Sequence, residues 1–188
     1  MTKLRPLPQS FFRRDVDAVA RALIGTVLTV GGVGGVIVET ESYDPDDPAS
    51  HAYERRQTLR NAVMFGPPGH AYVYRIYGMH WCLNFTCGDA SAVLIRALEP
   101  RYGIAKMQAR RGSETPASLC SGPGKLCQAL DVTGADNGKS LFAPPVALSR
   151  AAEPAVVASG VRIGITKARD LERRFGLANS PYLSRRFP

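Results

Sequence analysis

The chain has 188 residues, 45% of them hydrophobic, and no apolar run approaches the about 20 residues of a bilayer-spanning helix, so one soluble domain with its own core is expected. Twenty-four Lys and Arg against 16 Asp and Glu give a formal charge of +8, with arginine pairs at 13/14, 55/56, 110/111, 173/174 and 185/186. That balance suits a polyanionic partner, but charge reports on association and not on fold, and it fits solvated arginine equally well.

The start, Met1-Thr2-Lys3-Leu4-Arg5-Pro6, leads into Phe11-Phe12-Arg13-Arg14 rather than an apolar block, so no signal peptide is expected and the cytoplasm is the expected address. Asp15 is placed to cap a helix over 16–24, where Val16, Val19, Ala20, Leu23 and Ile24 recur at helical spacing before Gly25. Val27–Val30 and Val36–Val38 then flank the glycine-rich Gly31–Gly35, which predicts a hairpin. Period-two alternation in the second strand puts Ile37, Glu39, Glu41 and Tyr43 on one face. Two acids and an aromatic at a strand end point to a pocket.

From Asp44 to Arg60 prolines and charges replace periodicity, which predicts a long loop of the kind that usually carries function. It contains Ser50-His51-Ala52-Tyr53. A second, aromatic hairpin is expected from His70–Tyr77 and Trp81–Cys87 around Gly78-Met79-His80. Tyr72, Tyr74 and Ile76 share one of its faces, Val73, Arg75 and Tyr77 the other. Ser91–Leu98 reads as a further strand, 103–111 as a short basic helix, 122–130 as a helix opened by Pro123, and Val161–Thr166 as a last strand. The sum is a single domain over 1–188 built on a curved antiparallel sheet.

A carboxylate facing a pocket can serve as a general base, and Glu41, nearer the loop, is the candidate; Glu39 on the same face would raise the pKa of one of the two by like-charge repulsion. For Glu39 an ion pair with an arginine such as Arg96 is an equal alternative. Tyr77 at a hairpin turn fits a wedge between base steps, although strand tyrosines are more often core or cross-strand pairs. His51 is open between a ligand donor and a structural hydrogen-bonder.

Cys82, Cys87, Cys120 and Cys127 match neither a zinc finger nor a redox motif and are expected to be buried, reduced thiols. His70 and His80 form no metal-binding pattern, so neither metal nor other cofactor is expected. Gly122-Pro123-Gly124-Lys125 lacks the rest of a nucleotide-binding loop, but Lys125 can meet a DNA phosphate. With no Ser, Cys or Lys in an activated setting, water is the most economical nucleophile. The residues alone also admit a non-catalytic nucleic-acid-binding module or hydrolysis of small nucleosides.

Val38-Glu39-Thr40-Glu41-Ser42-Tyr43, Ser50-His51-Ala52-Tyr53, Arg60-Asn61, Met64-Phe65-Gly66-Pro67-Pro68-Gly69 and Tyr72-Val73-Tyr74-Arg75-Ile76-Tyr77-Gly78-Met79 together resemble the alkyladenine (3-methyladenine) DNA glycosylase family. Leu94–Pro100 and Gly122–Leu130 continue the resemblance, which runs from about residue 9 to 184. It implies a mixed α/β (α+β) fold, the curved sheet with surrounding helices and a protruding hairpin, and that Glu41 activates water, that Arg96 lies near the flipped nucleotide's phosphate and the catalytic water, and that Tyr43 and Tyr74 sandwich the flipped base with help from His51. It also implies that Asn84 disfavours the guanine 2-amino group and that Tyr77 intercalates; Arg60, Met79 and Lys125 are further expected DNA contacts. The partner would be double-stranded DNA holding damaged purines, met by a monomer with no membrane involvement. Leu59 departs from the pattern, standing where the family often has proline, and His80 stands where some relatives carry tyrosine.

Overall fold

Asp15 caps helix α1 (Val16–Leu23) by accepting the Ala18 N–H at 2.9 Å, as its position predicts, and Val16, Val19, Ala20 and Leu23 are buried. Strands β1 (Val27–Val30) and β2 (Val33–Tyr43) follow, joined by Gly31-Gly32 alone. Gly34 and Gly35, expected in the connection, belong to β2 for a steric reason. A Cβ on Gly34 would lie 1.9 Å from the Leu28 carbonyl oxygen, and one on Gly35 1.9 Å from that of Glu99, so only glycine lets both neighbouring strands approach.

The long loop expected from Asp44 to Arg60 runs on to residue 70, with one-turn helices at Tyr53–Arg55 and Ala62–Phe65. The aromatic hairpin is β3 (Ala71–Ile76) and β4 (His80–Thr86), and β5 (Ala92–Tyr102) runs four residues past its expected end. Helices α2 (Ile104–Arg111), α3 (Pro116–Leu119) and α4 (Pro123–Leu130) come next, then β6 (Val146–Ser149), β7 (Val157–Gly160) and β8 (Arg174–Leu177).

The expected strand over Val161–Thr166 is not there. Pairing stops at Gly160, opposite Arg174; beyond it the Arg162 side chain turns inward to Asp47 and Gly164 takes a φ of +77°, so 161–168 is a loop. α3, β6, β7 and β8 were not expected, because four-residue elements are too short to show a period.

This computed structural model describes residues 5–150 and 153–187; the Met1–Leu4 start lies outside them. One antiparallel sheet runs β3-β4-β5-β2-β1-β6, with β7 and β8 branching off it. β2 is the branch point. One edge pairs with β5 along its length, while the other pairs with β1 through Val33–Val36 and with β8 through Glu39–Glu41. The β2–β5 register shifts between Ile37 and Glu39 and again between Glu39 and Thr40, so unbroken pairing runs from Thr40 to Tyr43. On one side Thr40 donates to the Ala20 carbonyl of α1 and Ser42 to Asp17, while Glu39, Glu41 and Tyr43 face the other side. The curved sheet, surrounding helices and protruding hairpin match the expected mixed α/β fold. The main core joins α1 to β2, β5 and the Leu126-Cys127-Ala129-Leu130 face of α4, and all four cysteines are buried and free. No helix among the described residues is long and apolar enough to cross a membrane.

Candidate active site

Because β2 sits inside the sheet, its two acids are buried. Glu39 is fully engaged. Its Oε1 accepts from Arg96 Nε at 3.2 Å, Arg174 Nη1 at 3.1 Å and Ser184 Oγ at 2.8 Å, and its Oε2 accepts the Ser184 N–H at 2.6 Å. Of its two open readings, the structural ion pair is the one the geometry bears out.

Glu41 is arranged differently. Oε2 accepts from the Tyr43 hydroxyl at 2.8 Å and Arg96 Nη1 at 3.2 Å, whereas Oε1 accepts only the Ile163 N–H at 2.8 Å. A carboxylate offers about four lone-pair sites, so Oε1 retains one for a water. Burial raises the pKa of Glu41 above the ordinary carboxylate range, and Arg96, the Ile163 N–H and the Tyr43 hydroxyl oppose that rise. Glu39 repulsion, the cause expected from the sequence, is the smallest contributor. Arg96 stays charged because Glu41 and Glu39 outweigh its burial.

Glu41 lines a cavity of about 810 Å³, ample for a purine and its sugar. Tyr43, His51, Tyr74, Asn84 and Arg96 line it too, so the structure brings together the scattered residues expected there, with Tyr72 beside them. The Arg162 guanidinium lies 4.7 Å from the centre of the Tyr43 ring and backs it. The Tyr74 ring packs against His51 at 4.6 Å and Tyr72 at 5.3 Å, with the Arg60 guanidinium 5.2 Å away. His51 Nδ1 and the Tyr72 hydroxyl share a hydrogen bond of 2.8 Å. Burial, then Arg60, lowers the His51 pKa, and burial pushes Tyr72 up to about 12 and Tyr74 higher, so these rings are neutral near pH 7. Asn84 Nδ2 donates to the Tyr72 carbonyl at 3.0 Å, which fixes the amide on the cavity wall.

The residues expected to contact DNA lie at or beside the cavity. The Met79 N–H donates to the Ile76 carbonyl at 3.1 Å while Tyr77 and Gly78 hold φ of +52° and +67°, a tight two-residue turn that favours glycine and strains tyrosine. It leaves Tyr77 75% and Met79 66% exposed at the hairpin tip. Lys125 stands exposed at the start of α4 and lines the cavity, and Arg60 holds the hairpin by donating to the Arg75 carbonyl at 3.1 Å.

A model of the methylpurine-DNA glycosylase family matches residues 10–181, nearly the whole described chain. The chain belongs to that family. As a methylpurine-DNA glycosylase family member it is a hydrolase of N-glycosyl bonds, with DNA as its substrate. It is 57% identical over 181 residues to a protein of Agrobacterium fabrum, covering 96% of this chain and 93% of that one. It is 60% identical over 190 residues to one of Rhodopseudomonas palustris strain BisB18 (98% and 94%) and 56% identical over 180 residues to one of Nitrosospira multiformis (94% and 92%). All three carry the provisional name 3-methyladenine DNA glycosylase.

Within this family site, sequence reasoning missed the 161–168 loop. The Arg162 guanidinium forms a fully buried ion pair with Asp47, donates to the Ser42 carbonyl at 3.1 Å and the Ala168 carbonyl at 3.4 Å, and thereby sets the Ile163 N–H against Glu41. A charged residue and Gly164 inside an otherwise apolar run were the available signal. Among the described residues no cluster of His, Cys, Asp and Glu is placed to hold a metal.

Proposed function

We propose that the protein acts as a monomer that flips an alkylated purine from duplex DNA into the cavity and hydrolyses its N-glycosidic bond with water activated by Glu41. The observation that carries this reading is the buried Glu41 at the cavity wall, with two hydrogen bonds on Oε2 and only one on Oε1. A module that merely bound DNA would gain nothing from an acid there.

In this mechanism Glu41 takes a proton from the water, the water oxygen bonds to the anomeric carbon, and the glycosidic electron pair leaves with the base. N3- or N7-alkylation places positive charge on the purine, so those electrons neutralise it and no second acid is needed, unlike the carboxylate pair of ordinary glycosidases. Arg96 holds Glu41 and offsets its charge. Tyr43, backed by Arg162, and Tyr74, backed by His51 and Tyr72, supply ring faces for the base, and Asn84 sets a polar limit on what fits. Burial and Arg60 lower the pKa of His51, which disfavours the imidazolium that protonation of a neutral, deaminated base would draw on.

The test is incubation of purified protein with duplexes each holding one damaged purine, followed by alkali to cut at abasic sites. Cleavage at 3-methyladenine or 7-methylguanine duplexes is expected, and no cleavage at any lesion refutes the reading. Tyr77→Ala removes the wedge that acts before chemistry. Excision should fall about tenfold or more for every lesion alike, since unstacking a base step costs a few kcal/mol. A variant as active as wild type on all of them would remove Tyr77 from the mechanism.

A further inference from the structure

Leu59, where the sequence departs from the family pattern, has a side chain with no cover from the rest of the chain; its relative exposure is 102%. Single exposed leucines are ordinary on protein surfaces. This one sits on a loop built to hold it still. Asn61, 1% exposed, accepts the Thr58 N–H at 2.6 Å and the Thr58 hydroxyl at 3.0 Å, and donates to the His51 carbonyl at 2.7 Å and the Arg56 carbonyl at 2.9 Å. One buried amide therefore closes the loop and ties it to the cavity wall. Just before it, Glu54 and Arg55 hold φ of +56° and +57°, the strained left-handed conformation, which turns the chain outward.

The loop also stands beside the wedge hairpin. Arg60, next to Leu59, donates to the carbonyl of Arg75, two residues before Tyr77. Arg56 and Arg60 are exposed around Leu59 and give it cationic flanks. An uncovered apolar side chain on an ordered loop, between cations and beside a turn that presents Tyr77 and Met79, suits a DNA groove. Leucine, like methionine and phenylalanine, is among the side chains that proteins insert between base steps.

We propose that the Arg56–Arg60 loop is a second element that enters the duplex, with Leu59 as its apolar contact in the groove that receives the Tyr77 hairpin. This rests on the glycosylase reading above. Because Asn61 orders the loop in the free protein, little conformational freedom is lost on contact.

The experiment measures full-length protein binding, across a range of salt, to a duplex holding one uncleavable abasic-site analogue. Leu59→Ala should weaken binding about tenfold while the slope of log affinity against log salt stays at the wild-type value, because an apolar contact releases no counterions. Leu59→Met should bind like wild type. Arg60→Ala, by contrast, should reduce the slope by about 0.9. Leu59→Ala binding as tightly as wild type, or weakening with a matching fall in slope, overturns the proposal. Either result leaves the glycosylase reading intact, which fails only if the wild-type protein releases no damaged base.

Discussion

Glu41→Gln loses excision of a cationic lesion by at least about 10²-fold, and up to about 10⁴-fold, while lesion-duplex binding persists. The amide keeps the shape and retains an oxygen for the Ile163 N–H, but it cannot take a proton from water. Substitution also leaves Arg96 without one of its two acids, so the site becomes more positive and its hold on an anionic duplex does not weaken. Single-turnover excision with a parallel binding measurement checks both halves; undiminished excision removes Glu41 from the chemistry. Wild-type activity carries the same signature in pH. A base must be ionised, and burial raises the pKa of Glu41 above its ordinary 4.5, so activity should climb with pH through a limb above that value. The Tyr43 hydroxyl holds the pKa down, so Tyr43→Phe should move the limb to higher pH. A limb at or below the ordinary value, or one moved down by Tyr43→Phe, contradicts this assignment.

What the sequence disclosed follows from how local each signal is. Glu39, Glu41 and Tyr43 lie in one strand, so alternation alone puts them on one face; Tyr74 is placed in the same way by β3, and Tyr77 by the turn that follows it. Asp15 announced α1 because a cap and its helix are adjacent. The partner of Glu41 from the far loop left no such mark. It is a backbone N–H, which every residue except proline has, and it comes from 122 positions away. The division of labour between the acids was equally hidden, because what makes Glu39 structural is Arg174 and Ser184, which β8 and the C-terminal segment deliver. Gly34 and Gly35 misled for a related reason: glycine signals a turn when read locally, whereas here it answers the close approach of two strands.

The same distance between sequence and site gives the second large effect. Arg162 and Asp47, 115 positions apart, form an ion pair whose side chains are both 0% exposed, joining the loop after Tyr43 to the loop that supplies the Ile163 N–H. Arg162→Ala takes away the buried partner of Asp47 and leaves it the Ala49 N–H at 2.9 Å and Arg173 at 3.7 Å, a loss of at most about 3–5 kcal/mol. For a chain of this size each kcal/mol lowers the melting temperature by roughly 2–4 °C, so a fall on the order of 6–20 °C is expected in thermal unfolding. The variant also loses the backing of the Tyr43 ring and the hold on 161–168. A double substitution, Asp47→Leu with Arg162→Met, separates the two roles. Exchanging a buried pair for apolar side chains of similar volume restores most of the stability. It does not restore the guanidinium that fixes Ser42, Ala168 and the Tyr43 ring, so excision should remain depressed, with its acid limb above that of wild type as the Ile163 hydrogen bond loosens. A double variant that melts like wild type and also excises like wild type would show that Arg162 only holds the fold together, and that Glu41 keeps its place without it.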